Sequence, residues 1–128
     1  MKEILNPGEN SPVGPYSPIV KAGDFLFLSG QVAENPDTGK LLGGDVGEQT
    51  YQIMSQIRNL LTANGYSMED IVKCNIYMKD RKDFDKMNSV YKQFFKLYPA
   101  RITVYVSDLY EGCDIEIDAT AYCGKKAD

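Results

Sequence analysis

The chain has 128 residues, enough for one domain with its own hydrophobic core and too few for two ordinary ones, so residues 1–128 are read as a single domain. Hydrophobic residues make up 43% and charged residues 25%, which excludes a disordered or fibrous chain. The formal net charge is −4; a protein that grips phosphates usually carries a basic stripe, whereas here the only tight basic pair in the body is Arg81-Lys82, and no nucleic-acid partner is expected.

Residues 6–18 hold Asn6-Pro7-Gly8, Pro12, Pro15 and Pro18 and read as loop. Ile19-Val20-Lys21 and Phe25 to Gly30 are two apolar runs joined by a turn at Ala22-Gly23-Asp24, a hairpin pattern. Residues 33–44 return to loop. Asp45 is placed to cap a helix whose apolar stripe is Val46, Thr50, Ile53, Met54, Ile57, Leu60 and Leu61, with Gly65 as its stop.

Ser67-Met68-Glu69-Asp70 has the form of a capping box for one turn. Ile71 to Met78 alternates as a strand, with Val72, Cys74, Ile76 and Met78 on one face. A second helix is predicted from near Asp83, with a stripe of Phe84, Met87, Tyr91, Phe94 and Tyr98 and a stop at Pro99. Arg101 to Val106 reads as a strand with Ile102, Val104 and Val106 inward. A turn at Glu111-Gly112 precedes a last strand, Asp114 to Tyr122.

The order is β-β-α-β-α-β-β, with room for one more strand at the extreme N-terminus. Two helices cannot cover both faces of a five- or six-stranded sheet, so both are expected to pack on one face. Ile115, Ile117, Ala119 and Ala121 suit the covered face. Asp114, Glu116, Asp118 and Thr120 would face the other way, joined by Arg101 and Thr103. That row is either a solvated sheet face or one turned toward a subunit interface or a site.

The N-terminus has no apolar h-region, and no run is long enough to span a bilayer. Cys74, Cys113 and Cys123 are odd in number and widely spaced, which points to a reducing compartment, and a cytoplasmic location is expected. The chain has no histidine. That removes Ser-His and Cys-His activation and the commonest transition-metal ligand, and no metal or cofactor is expected. Chemistry must run on Arg, Lys, Asp, Glu, Tyr, Ser, Thr, the backbone and water.

Arg101 opens a strand directly after a Pro-terminated helix, and its planar fork matches a carboxylate. Taken alone, such an arginine is more often a surface or ion-pair residue than an anchor. Four ordered motifs add to it: Gly14-Pro15-Tyr16-Ser17, Leu28-Ser29-Gly30-Gln31, the strand Ile71 to Asp80, and Pro99-Ala100-Arg101 followed by Ile115-Glu116-Ile117. Together they resemble the Rid/YjgF family, also labelled L-PSP endoribonuclease, over about residues 6–122.

The resemblance implies a chorismate-mutase-like α+β fold of the bacillary type, with a mixed five- to six-stranded sheet, and a homotrimer with clefts between subunits. It implies hydrolytic deamination of 2-imino and enamine acids to 2-oxoacids and ammonia, with small imino or 2-oxo acids as partners. Arg101 would hold the substrate carboxylate, the Gly30 N–H would add a hydrogen bond, and Tyr16 would close one side. Glu116 would act on the attacking water, with the Thr103 carbonyl helping. Ile102, Tyr110 and Pro18 depart from the family's usual residues and bear on substrate range. Two further readings remain: a carboxylate-binding regulatory protein without turnover, and an endoribonuclease or translation inhibitor.

Overall fold

Alternation in the first apolar runs produces a hairpin. Strands β2 (Ile19–Ala22) and β3 (Phe25–Gln31) pair antiparallel with Ala22 opposite Phe25, so Gly23-Asp24 makes the turn. Gly23 takes φ +59°, a conformation that costs glycine little. A short β1 (Glu3–Ile4) adds to the outside of β2, filling the place left for an N-terminal strand. The computed structural model describes residues 1–8 and 14–124; Pro12 of the expected N-terminal loop lies outside them.

Helix α1 (Val46–Ala63) begins where predicted, with the Asp45 carboxylate accepting the Glu48 N–H at 2.9 Å. Its stripe from Val46 to Leu61 is buried, and Gly65 (φ +83°) follows its end. One 3₁₀ turn, Met68–Asp70, leads into β4 (Ile71–Met78), and Asp70 accepts the Ser67 N–H at 2.9 Å. A register irregularity between Ile71 and Lys73 turns Ile71 into the core and leaves Val72 exposed, against the simple alternation.

The second helix is shorter than its apolar stripe predicts. Helix α2 spans Phe84–Tyr91 and tightens into a 3₁₀ turn, Lys92–Phe94. Phe95 is then extended and buried, whereas Tyr98 is 66% exposed. Once the backbone leaves the 3.6 period, position 98 no longer faces the core.

Strand β5 (Ala100–Tyr105) runs parallel to β4, and β6 (Ile115–Tyr122) enters antiparallel between β3 and β4. The six-stranded order is β1-β2-β3-β6-β4-β5, with β4–β5 the one parallel pair. Ile115, Ile117, Ala119 and Ala121 lie in the core on the helix side, as expected. The opposite face is uncovered and exposes Phe25, Phe27, Tyr122, Ile102 and Val104.

Strand β5 corrects the predicted face assignment. Its register sets Arg101 beside Cys74 and Thr103 beside Ile76, both fully buried on the helix side. Arg101 and Thr103 therefore point toward the helices, and Ile102 and Val104 point outward. At an edge strand the apolar residues need not be the buried ones. Asp114 also leaves its expected row, because its carboxylate accepts a hydrogen bond from Gln49 of α1 at 2.7 Å.

Loop 32–45 is fastened by side-chain amides of α1, Gln56 buried and Gln52 half-buried. Gln56 donates to Gln31 Oε1 at 3.1 Å and to the Val32 carbonyl at 3.0 Å, and its own oxygen accepts the Glu34 N–H at 2.9 Å. Gln52, one helical turn earlier, donates to the Glu34 carbonyl at 3.1 Å.

Ile117 is fully buried in a central strand. Ile117→Ala is expected to cost about 2–5 kcal/mol and lower the thermal midpoint by about 10 °C or more, measured by scanning calorimetry.

Candidate functional site

The predicted site residues separate into two groups. Gly30, near the end of β3, lies against Glu116 of the adjoining β6. A Cβ at position 30 would collide with Glu116 Oε2, so only the absence of a side chain admits the carboxyl group there. Tyr16 lies near them on the loop before β2, half-exposed. Burial pushes its hydroxyl pKa up, and Glu34, Tyr110 and Glu116 nearby push it the same way.

Burial also raises the Glu116 carboxyl above the usual carboxylate range, with the negative charge of Asp118 adding to it. Asp118 itself accepts hydrogen bonds from Asn75 at 2.8 Å and Tyr77 at 3.4 Å. A carboxyl group with a raised pKa can exchange protons closer to neutrality than an ordinary one.

Arg101 belongs to the second group. It sits on the helix side of β5, whereas Glu116 pairs across to Tyr77 on the uncovered face. One chain does not bring Arg101 and Glu116 to a common point. Arg101 Nη1 donates to Asn88 Oδ1 on α2 at 2.7 Å. The guanidinium opens onto a cavity of about 400 Å³ lined by Asn88, Tyr91, Lys92, Tyr98, Pro99 and Arg101. Among the described residues it makes no ion pair with a carboxylate.

Thr103 follows on the same side of β5, its hydroxyl buried without a hydrogen-bond partner. Asn88 was not among the site residues expected from sequence. Its signal was its spacing on α2, where position 88 falls on the same helical face as Phe84 and Tyr91.

The cysteines stand apart from this chemistry. Cys74 is fully buried, and burial pushes its thiol up to about 11. Cys113 is 9% exposed, with its pKa raised by burial. No group of His, Cys, Asp and Glu among the described residues is arranged to hold a metal ion.

The fold and these two clusters define a small α+β protein of the chorismate-mutase-like kind, with a two-helix layer on a mixed sheet and an arginine open to anions. The family model described as Endoribonuclease L-PSP matches residues 8–123. A RutC family protein of Pyrococcus horikoshii is 45% identical over 95% of this chain and 98% of its own. The human 2-iminobutanoate/2-iminopropanoate deaminase is 36% identical over 88% of this chain and 82% of its own.

A crystal structure of a Rid family protein from Yersinia pestis superposes with TM-score 0.89 at 35% identity, covering 95% of this chain and 99% of that one. E. coli TdcF with bound serine superposes with TM-score 0.85 at 34% identity, covering 93% and 96%. The chain belongs to the Rid/YjgF family, whose members also carry the L-PSP endoribonuclease name.

Gly30→Ala is expected to retain the fold but drive the Glu116 carboxyl toward solvent. Its pKa should then fall toward the ordinary glutamate value, read by carbon NMR of labelled side-chain carboxyls; an unmoved titration would contradict the contact.

Proposed function

We propose that the protein hydrolyses small 2-imino and enamine acids to 2-oxoacids and ammonia, at clefts assembled between copies of the chain. The observation that carries this reading is Arg101: a cation without a carboxylate partner among the described residues, open to a cavity and fixed by a neutral amide. Support comes also from the human and Dermatophagoides farinae relatives, both named 2-iminobutanoate/2-iminopropanoate deaminase and 36% and 35% identical. The serine held by TdcF is an α-amino carboxylate, the same class of anion.

Arg101 takes the substrate carboxylate in a two-point hydrogen bond, which fixes the imine carbon. Tyr16, the Gly30 N–H and Glu116 of a neighbouring copy complete the cleft. Water adds to the electrophilic carbon as the Glu116 carboxylate takes its proton. The resulting carbinolamine receives that proton on nitrogen; its hydroxyl then gives its own proton back to the Glu116 carboxylate as the C–N bond breaks, and ammonia leaves as the 2-oxoacid forms. The Thr103 carbonyl helps hold the water. Because the two half-sites lie on opposite faces of one sheet, assembly is a chemical requirement, and a homotrimer with three clefts meets it. The uncovered face with Phe25, Phe27, Ile102 and Val104 offers apolar area for that contact.

The test is a coupled assay in which a dehydratase or amino-acid oxidase generates the imine. Arg101→Ala should lower kcat/KM by about 10²–10³-fold, the scale of losing a charge-assisted pair of hydrogen bonds, with assembly intact by sedimentation. Wild type that binds 2-oxobutanoate without turnover would indicate a carboxylate sensor instead.

Glu116→Gln should cost about 10²–10⁴-fold in kcat. Wild-type kcat/KM should fall as pH drops through the raised Glu116 pKa, since protonation removes the base, and the residual rate of the variant should lack that limb.

Mixing Arg101→Ala with Glu116→Gln chains and allowing exchange should restore about a quarter of wild-type activity, since each cleft takes one residue from each of two neighbours. A mixture as inactive as its components would show that the site lies within one chain.

A further inference from the structure

The surroundings of Arg101 carry information beyond its hydrogen bond. Its guanidinium carbon lies 5.0 Å from the Tyr91 ring centroid and 5.7 Å from that of Phe84. Asn88 holds Nη1 at 2.7 Å. Positions 84, 88 and 91 follow one another along a single face of α2 at four- and three-residue steps, so one short helix supplies all three contacts. Arg58 and Arg81, the other two arginines, each lie over one ring, Phe94 and Tyr105.

We propose that Phe84 and Tyr91 form an aromatic bracket which, with Asn88, aims the Arg101 guanidinium and leaves its charge uncompensated for an incoming carboxylate. The three are positioning residues. All are neutral, so they orient the cation without competing for its charge as an aspartate or glutamate would. Ring faces attract a cation by their quadrupole, and the attraction grows when water is excluded. Tyr91 is only 4% exposed, so its ring works where water is scarce.

The Tyr91 hydroxyl is not part of the device. It is buried beside the Cys74 thiol and makes no hydrogen bond to Asn88 or to Arg101. The bracket needs the ring and not the hydroxyl, which separates this role from that of a hydrogen-bonding or acid–base tyrosine.

The inference rests on the reading of Arg101 as a carboxylate anchor, and its test has a readout that needs no ligand. In protein with ¹⁵N-labelled arginine, three side-chain Nε–H signals are expected, the Arg101 signal being identified by its loss in Arg101→Lys. That signal should be displaced by ring currents and slow to exchange. Tyr91→Phe should preserve it, whereas Tyr91→Leu should return it toward the free-arginine position.

Calorimetric titration with 2-oxobutanoate should show the Kd unchanged within about twofold for Tyr91→Phe and raised about tenfold for Tyr91→Leu. In the imine assay Tyr91→Leu should raise KM by the same factor with kcat unchanged, because the carboxylate is held alike in ground and transition states. If Tyr91→Leu fails to fold, Phe84→Leu carries the same comparison at the second ring. An Arg101 signal that is undisplaced in wild type, or unmoved by both leucine variants, overturns the bracket. Absence of imine turnover in wild type, with the displaced signal and its response to leucine intact, would overturn the deaminase reading and leave the bracket standing.

Discussion

Two helices against six strands is the constraint from which the rest follows. A strand sends alternate side chains to opposite faces, so a sheet covered on one side sorts every strand into a packed row and an open row. In β6 this sorting gives isoleucines and alanines to the helices and Glu116, Asp118 and Thr120 to the open side. In β5 the same rule, acting through its parallel register with β4, gives Arg101 to the helices. The two charged groups most suited to chemistry are thereby set on opposite sides of one layer.

The two clusters also differ in how they treat charge. Around Glu116, burial and the neighbouring Asp118 work against the ionised form, so the carboxyl holds its proton more tightly than usual. Around Arg101, an amide and two rings solvate the cation without neutralising it. The first is suited to exchanging a proton and the second to holding a permanent anion. A chain without histidine obtains both functions from burial and partner choice alone.

Much of the fold was legible because local chemistry and tertiary packing agree. Asp45, the stripe to Leu61 and Gly65 define α1 by capping, period and stop, and the structure places all three as read. The reading failed where a local pattern met an edge. Ile102 and Val104 look like core residues, yet they sit on an edge strand whose orientation is set by β4 and not by their own hydrophobicity. Tyr98 continues the apolar stripe of α2 in sequence, but the helix has already ended. The proximity of Gly30 to Glu116 spans 86 positions and arises from the β3–β6 pairing, which no local pattern encodes. Family resemblance supplied those two residues together; periodicity alone did not.

The amide clasp of Gln52 and Gln56 on loop 32–45 has a consequence for how the molecule tolerates change. It grips the chain at Gln31, Val32 and Glu34, immediately after Gly30, and leaves the stretch from Asn35 to Lys40 to its own turn bonds. Its hydrogen bonds lie between the outer turn and the backbone that admits Glu116. The outer loop is thus free to vary in length and sequence, or to accept an inserted tag, while the geometry next to β6 is held by α1.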